Sequence, residues 1–114
     1  MVSKEIAKLA AETLLEKKAI DVNMIDISEK SSFADYFVNA TATNSRQLES
    51  LADEVNDKFQ ENKMFPKSVD GKGGSGWILM DYGDIIVNIF TSSTRDMYSL
   101  EKLWGDCEIT RCED

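Results

Sequence analysis

The chain has 114 residues, 42% hydrophobic and 30% charged, which is enough for one compact domain with a core, too short for two, and too apolar for a disordered segment. Its 13 basic and 21 acidic residues give a net charge of −8, and histidine is absent. Such a surface repels the phosphate backbone, so little or no direct nucleic-acid binding is expected, whereas a basic protein patch would attract it; without histidine, Ser-His and Cys-His catalytic pairs are excluded.

No apolar run approaches the roughly 20 residues of a membrane span. The start, Met1-Val2-Ser3-Lys4-Glu5, has the character of neither a signal nor a transit peptide, so a cytoplasmic location without a membrane role is expected. The spacing of Ile6, Leu9, Ala10, Thr13 and Leu14 predicts an amphipathic helix over residues 2 to 18, with Lys17 and Lys18 placed where cations suit a helix C-terminus. Asp21 to Ile27 alternates as a strand does, and Tyr36 to Thr41 is a second strand rich in aromatic and β-branched types. Asn44, with Gln47 three residues on, predicts the cap of a second helix running to about Asn62, with Leu48, Leu51, Ala52, Val55 and Phe59 on its apolar face.

Met64 to Val69 reads as a loop with room for a short edge strand, and Gly71-Lys72-Gly73-Gly74-Ser75-Gly76 as a mobile loop. Trp77 to Asp81 and Ile85 to Phe90 are the strongest strands, with Tyr82-Gly83 as a two-residue hairpin turn. Thr94 to Trp104 reads as one or two helical turns, and the acidic tail from Gly105 as frayed. The order α-β-β-α-(β)-β-β-α predicts a single-domain α/β (α+β) fold, a mixed sheet with two main helices on one face.

Alternation in the hairpin carries a functional hint. If Asp81 pairs with Asp84, Met80 faces Ile85, Leu79 faces Ile86 and Trp77 faces Asn88. Ile78, Met80, Ile85, Val87 and Ile89 then share one face, and Trp77, Leu79, Asp81, Asp84, Ile86 and Asn88 the other. Two helices can cover only the first. Trp77, Leu79 and Ile86, edged by Asp81 and Asp84, would be left as an apolar patch with an acidic border, the anatomy of a docking site. The competing arrangement folds Tyr98, Leu100, Leu103 and Trp104 over that face.

Other chemistry is thin. The glycine-rich stretch lacks the phosphate-loop spacing and precedes a strand rather than a helix. Asp81 and Asp84 flank a turn, without the D-x-D strand spacing of two-metal transfer, and read as turn formers or partner contacts. Asp35 reads as either a cap of the turn entering the second strand or a contact. Cys107 and Cys112 read as two free thiols, in preference to a zinc site or a disulfide. No cofactor or metal is expected.

Three linked signatures resemble the Iojap/RsfS family of ribosomal silencing factors. The first is Ser32-Phe33-Ala34-Asp35-Tyr36-Phe37-Val38 with Ala40-Thr41 and Ser45-Arg46-Gln47; the second runs from Trp77 to Phe90; the third is Arg95, Tyr98, Leu100, Glu101, Leu103, Trp104 and Asp106. Asn88 stands where the family usually has His, Ala42 where Gly is common, Asp70 where Glu is common and Cys107 where Ala is frequent. The resemblance implies a family domain over residues 1–106, an acidic C-terminal tail over 107–114, and a nucleotidyltransferase-like fold without transferase activity. It also implies binding to the large ribosomal subunit through its fourteenth protein, which blocks joining of the small subunit and lowers translation when nutrients are short. Contact roles carry over to Trp77, Leu79, Met80, Asp81, Tyr82 and Asp84, with Arg95, Tyr98, Leu100 and Trp104 as further members; Ile86 and Asn88 join them from the strand pattern. The alternatives are a divergent metal-dependent nucleotidyltransferase and a homodimeric adaptor using the same patch.

Overall fold

Apolar residues three and four apart produce two long helices, and alternating residues produce a sheet that lies beneath them. The computed structural model describes residues 2–71, 76–98 and 107–112. In chain order these hold α1 (Ser3–Glu16), β1 (Ile20–Asp26), β2 (Tyr36–Ala42), α2 (Ser45–Glu61), β3 (Ser68–Asp70), β4 (Trp77–Asp81), β5 (Ile85–Thr91), α3 (Ser92–Tyr98) and β6 (Glu108–Arg111). Among the described residues no helix is long and apolar enough to cross a membrane.

The ends of the helices follow from local chemistry. At the start of α2 the Asn44 side chain accepts from the Gln47 amide at 2.8 Å, and the Gln47 carbonyl oxygen accepts from the Thr43 amide at 2.7 Å. This is the reciprocal capping expected from Asn44 and Gln47, with the return bond reaching one residue further back. Both long helices end in the same way. The amides of Lys18 and Ala19 donate to the carbonyls of Leu15 and Leu14, and those of Lys63 and Met64 to Gln60 and Phe59. That paired pattern needs a left-handed residue just past the helix. Lys18 (φ 69°) and Lys63 (φ 61°) adopt it in place of glycine.

The strands form one mixed sheet in the order β3-β4-β5-β2-β1-β6. The central pair, β2 and β5, is parallel, and the other pairings are antiparallel. Both long helices lie on one face. There Ala10, Leu14, Leu51, Val55 and Phe59 bury against Val38, Ala40, Met80, Val87 and Ile89. Burial of this kind, at about 25 cal/mol per Å² of apolar surface removed from water, is what holds the helices to the sheet.

Two expectations are corrected. The hairpin turn is Gly83-Asp84 rather than Tyr82-Gly83: the Tyr82 amide donates to the Ile85 carbonyl, Asp81 pairs with Ile86, and Trp77 pairs with Phe90. The register is thus slipped by two residues, which leaves the strand side chains on their predicted faces and takes Asp84 into the turn. Gly83, at φ 91°, takes the first central position, as a type II′ turn requires. The residues from 108 to 111 are not frayed; Glu108–Arg111 pairs with β1 as an edge strand, Ile109 opposite Ile25. Four residues of mixed polarity carry little periodicity of their own, and only the β1 edge makes them a strand.

Replacing Lys63 by Gly removes the left-handed strain on a β-carbon at a small entropic cost in the unfolded chain, so Lys63→Gly should raise stability by about 0.5–1 kcal/mol. Urea unfolding followed by circular dichroism checks this; no gain, or a loss, contradicts the capping account.

Candidate functional site

The face opposite the long helices is laid out in three zones by strand register. Towards β1 and β6, Ile25, Ile27, Ala34, Phe37 and Ile86 form a second apolar cluster, with Leu79, Cys107 and Ile109 packed at its margin. Phe33 lies beside it, 58% exposed, its ring tilted on that of Phe37 at 6.2 Å between centroids. Phe33 is thus the exposed margin of that cluster, continuous with it rather than isolated.

Across the middle runs a polar row. Asn23 stands opposite Asn39, and Asn39 opposite Asn88. The Trp77 indole N–H donates to the Asn88 carbonyl oxygen at 3.0 Å; the Asn88 amide nitrogen donates to Asn39 at 3.1 Å, and that of Asn39 to Asn23 at 3.0 Å. The three amides are buried, Asn39 completely. Leaving one such group unmatched costs about 1–3 kcal/mol, so the row holds only as a connected set. The Trp77 ring also stacks on Phe90, centroids 5.2 Å apart.

At the β3–β4 edge lie acidic residues. Asp70 pairs with Leu79 and Ser68 with Asp81, so Asp70 and Asp81 share the face of Trp77 and Leu79, and Asp84 follows in the turn. Asp70 and Asp84 are exposed. The Asp81 carboxylate accepts from the Gly83 amide at 2.8 Å, which makes it the brace of the turn. The Asp84 carbonyl accepts from the amides of Asp35 and Tyr36, fastening the hairpin to the β1–β2 connection. Asp35 itself accepts from the Ser3 hydroxyl at 2.8 Å, tying that connection to α1. Among the described residues no group of three His, Cys, Asp or Glu side chains is placed to hold a metal ion.

A family model described as "ribosomal silencing factor during starvation" matches residues 1–114. A ribosomal silencing factor of Bacillus subtilis is 36% identical over 109 residues, covering 96% of this chain and 92% of that one. The chain belongs to the ribosomal silencing factor family. A crystal structure of a Chromobacterium violaceum protein superposes with a TM-score of 0.89 at 34% identity, over 92% of this chain and 88% of that one. A mouse protein named for mitochondrial assembly of the ribosomal large subunit is 27% identical over 94 residues, which span 80% of this chain and 41% of that one.

In this family member the residues singled out by sequence divide by position. Trp77, Leu79 and Asp81 are half-buried on the face opposite the long helices, and Asp84 is exposed in the turn that follows. Met80 (1% exposed) faces the helices, while Ile86 (7%) and Asn88 (1%) are buried on the face of Trp77 and Leu79; none of the three presents a surface to a partner. The patch expected around Trp77, Leu79 and Ile86 is therefore narrower at Ile86 and extended by Phe33 and Asp70, which alternation in the β4–β5 hairpin could not reveal. Tyr82 belongs to the helix side: its hydroxyl donates to Asn56 at 3.3 Å and its ring packs on Phe59 at 4.4 Å. Arg95 ties α3 to the sheet, donating to the Thr41 hydroxyl at 2.7 Å and to the Asp21 carbonyl at 2.6 Å, where a bulge holds Asp21 at φ 48°. Leu100 and Trp104, and with them the expected covering of this face by Leu100, Leu103 and Trp104, lie outside the described residues, while Ile25, Ile27, Phe37, Asn39, Ile86 and Asn88 on it are buried. Most of the glycine-rich loop also lies outside the described residues. Of Tyr98 only the backbone, ending α3, is described.

Burial pushes the Tyr82 phenol up to about 12, from an ordinary value of 10.0. The folded state then keeps a proton that the unfolded chain has released, so this contribution is whole below about pH 10 and lost as pH rises towards 12. Tyr82→Phe keeps the ring on Phe59 and deletes the titration. Its urea midpoint should fall less steeply than that of the unmodified protein between about pH 10 and 12; parallel curves would place the alkaline loss elsewhere.

Proposed function

We propose that the sheet face opposite the long helices docks on the large ribosomal subunit at its fourteenth protein, and that a bound molecule acts as a steric block, keeping the small subunit from joining and lowering translation when nutrients are short. The observation that carries this reading is the pairing of an exposed aromatic, Phe33, and the half-buried Trp77 and Leu79 with the carboxylates Asp70 and Asp81 on the same face and the exposed Asp84 in the adjoining turn. Apolar contact supplies a dry centre, and negative charge at the border steers and orients a basic ribosomal protein. The net charge of −8 supports docking on protein rather than on ribosomal RNA. The role needs no catalysis and no cofactor, and places the protein in the cytoplasm with the ribosomes. The family of the chain supports a ribosome-directed role, and the name of the mouse relative supports the large subunit as the target.

Co-sedimentation with separated subunits tests the binding, and a subunit-joining assay by light scattering tests the block. The protein should pellet with large subunits alone and should slow joining. Light scattering of the free protein separates this from self-association through the same face. Because Asp81 braces the turn, the informative charge reversal is at the two exposed carboxylates: Asp70→Lys with Asp84→Lys should weaken large-subunit binding at least about tenfold and leave the thermal midpoint unchanged. Undiminished binding by that variant would remove this face from the interface.

A further inference from the structure

The row of asparagines has a direction, and the direction is set at the docking face. An indole N–H can only donate. Trp77 therefore fixes the Asn88 side chain with its carbonyl oxygen towards β4 and its amide nitrogen towards β2. That nitrogen fixes Asn39 in the same sense, and Asn39 in turn meets the carbonyl oxygen of Asn23 on β1. The converse holds equally. Asn88 can hold its oxygen towards Trp77 only while its nitrogen has an acceptor in Asn39. With Asn39 fully buried and Asn88 1% exposed, water does not offer an easy substitute.

We infer that Asn88 and Asn39 are positioning residues for partner recognition: they act through Trp77, holding its indole in one orientation on the face opposite the long helices, although neither reaches the surface. This deepens the docking reading given above and rests on it. Trp77 is half-buried, stacks on Phe90 and sits two residues from Leu79 on the same strand face. The N–H bond to Asn88 sets the angle of the ring together with the stacking on Phe90. A ring already held in its bound orientation does not have to be ordered when the partner arrives, and removing that pre-organisation weakens binding without removing any contact.

The test uses the full chain, purified large ribosomal subunits, and a double-mutant cycle. Asn39→Leu deletes the middle of the row with a side chain of similar size. Two quantities are read: hydrogen exchange of the Trp77 indole N–H by ¹⁵N NMR, its resonance assigned by its loss in Trp77→Phe, and the affinity for large subunits. In Asn39→Leu the indole should exchange about tenfold faster and binding should weaken about tenfold. In a Trp77→Phe background, where no N–H remains to be held, the same Asn39 change should have little further effect on binding. Equal weakening in both backgrounds would show that the row merely supports the fold and would overturn the inference, as would unchanged exchange of the indole. Should Asn39→Leu fail to fold, Asn23→Ala, at the β1 end of the row, should move both quantities in the same direction by about threefold. If the unmodified protein does not bind large subunits, the docking reading fails, and the exchange measurement alone decides whether the row orients Trp77.

Discussion

The parallel pairing of β2 with β5 is the constraint on which the remaining structure depends. Val38 stands opposite Val87 and Ala40 opposite Ile89, which builds the floor on which both long helices rest. The intervening residues, Phe37 with Ile86 and Asn39 with Asn88, build the other face from the same strands. Side chains alternate with a period of two, so a slip of one residue between these strands would expose the helix floor and bury the asparagines beneath the helices. The antiparallel partners β1 and β4 then extend each face outwards, and α2 occupies part of the long connection that a parallel pair demands.

Strong periodicities were legible in the sequence and weak or relational ones were not. Both long helices could be read because their apolar stripes are continuous and, in α2, marked by Asn44 and Gln47 at the start. The faces of the β4–β5 hairpin could be read because any slip by two preserves parity. Its true register could not, since a single glycine beside Asp84 fits either of two turns, and the choice is made by Asp81 bracing the Gly83 amide. β6 carried no signal, having become a strand only through the edge of β1. Of the candidate site, Trp77, Leu79, Asp81 and Asp84 followed from alternation. Phe33 did not, because a loop residue has no period to betray its exposure. Asn39 and Asn88 are 49 positions apart, and their alignment exists only once β2 and β5 are paired.

The buried asparagines also bear on why one register is chosen. An apolar row would bury without any need for partners and would tolerate displacement along the strands. Three amides in line do not: shift β2 against β5 by two residues and Asn39 meets an apolar side chain, with donors and acceptors left unmatched at about 1–3 kcal/mol each. Hydrophobic burial is nearly blind to a two-residue slip because parity is kept, so the penalty that singles out the native register falls to the polar row. The same residues that fix Trp77 thus help to fix the sheet, which is why a binding cycle through Trp77, rather than a stability measurement, separates the two effects.

The distribution of charge gives the face opposite the long helices a sense of direction. Asp70 and Asp81 lie towards the β3–β4 edge with the half-buried Trp77 and Leu79, while the exposed Asp84 sits in the turn that is bonded to the β1–β2 connection, the segment that also carries the exposed Phe33. A uniformly acidic surface would attract a basic protein in many orientations. At physiological ionic strength charges more than about 8 Å apart are largely screened, so the overall charge of −8 governs approach, while only the nearest carboxylates govern the final pose. A partner whose basic and apolar groups match this arrangement of carboxylates and apolar side chains satisfies all of them in one orientation only. For a protein whose effect depends on the space it occupies, rather than on chemistry it performs, the orientation in which it is held matters as much as the affinity: the same molecule bound in a rotated pose would fill a different volume and need not stand in the path of a second subunit.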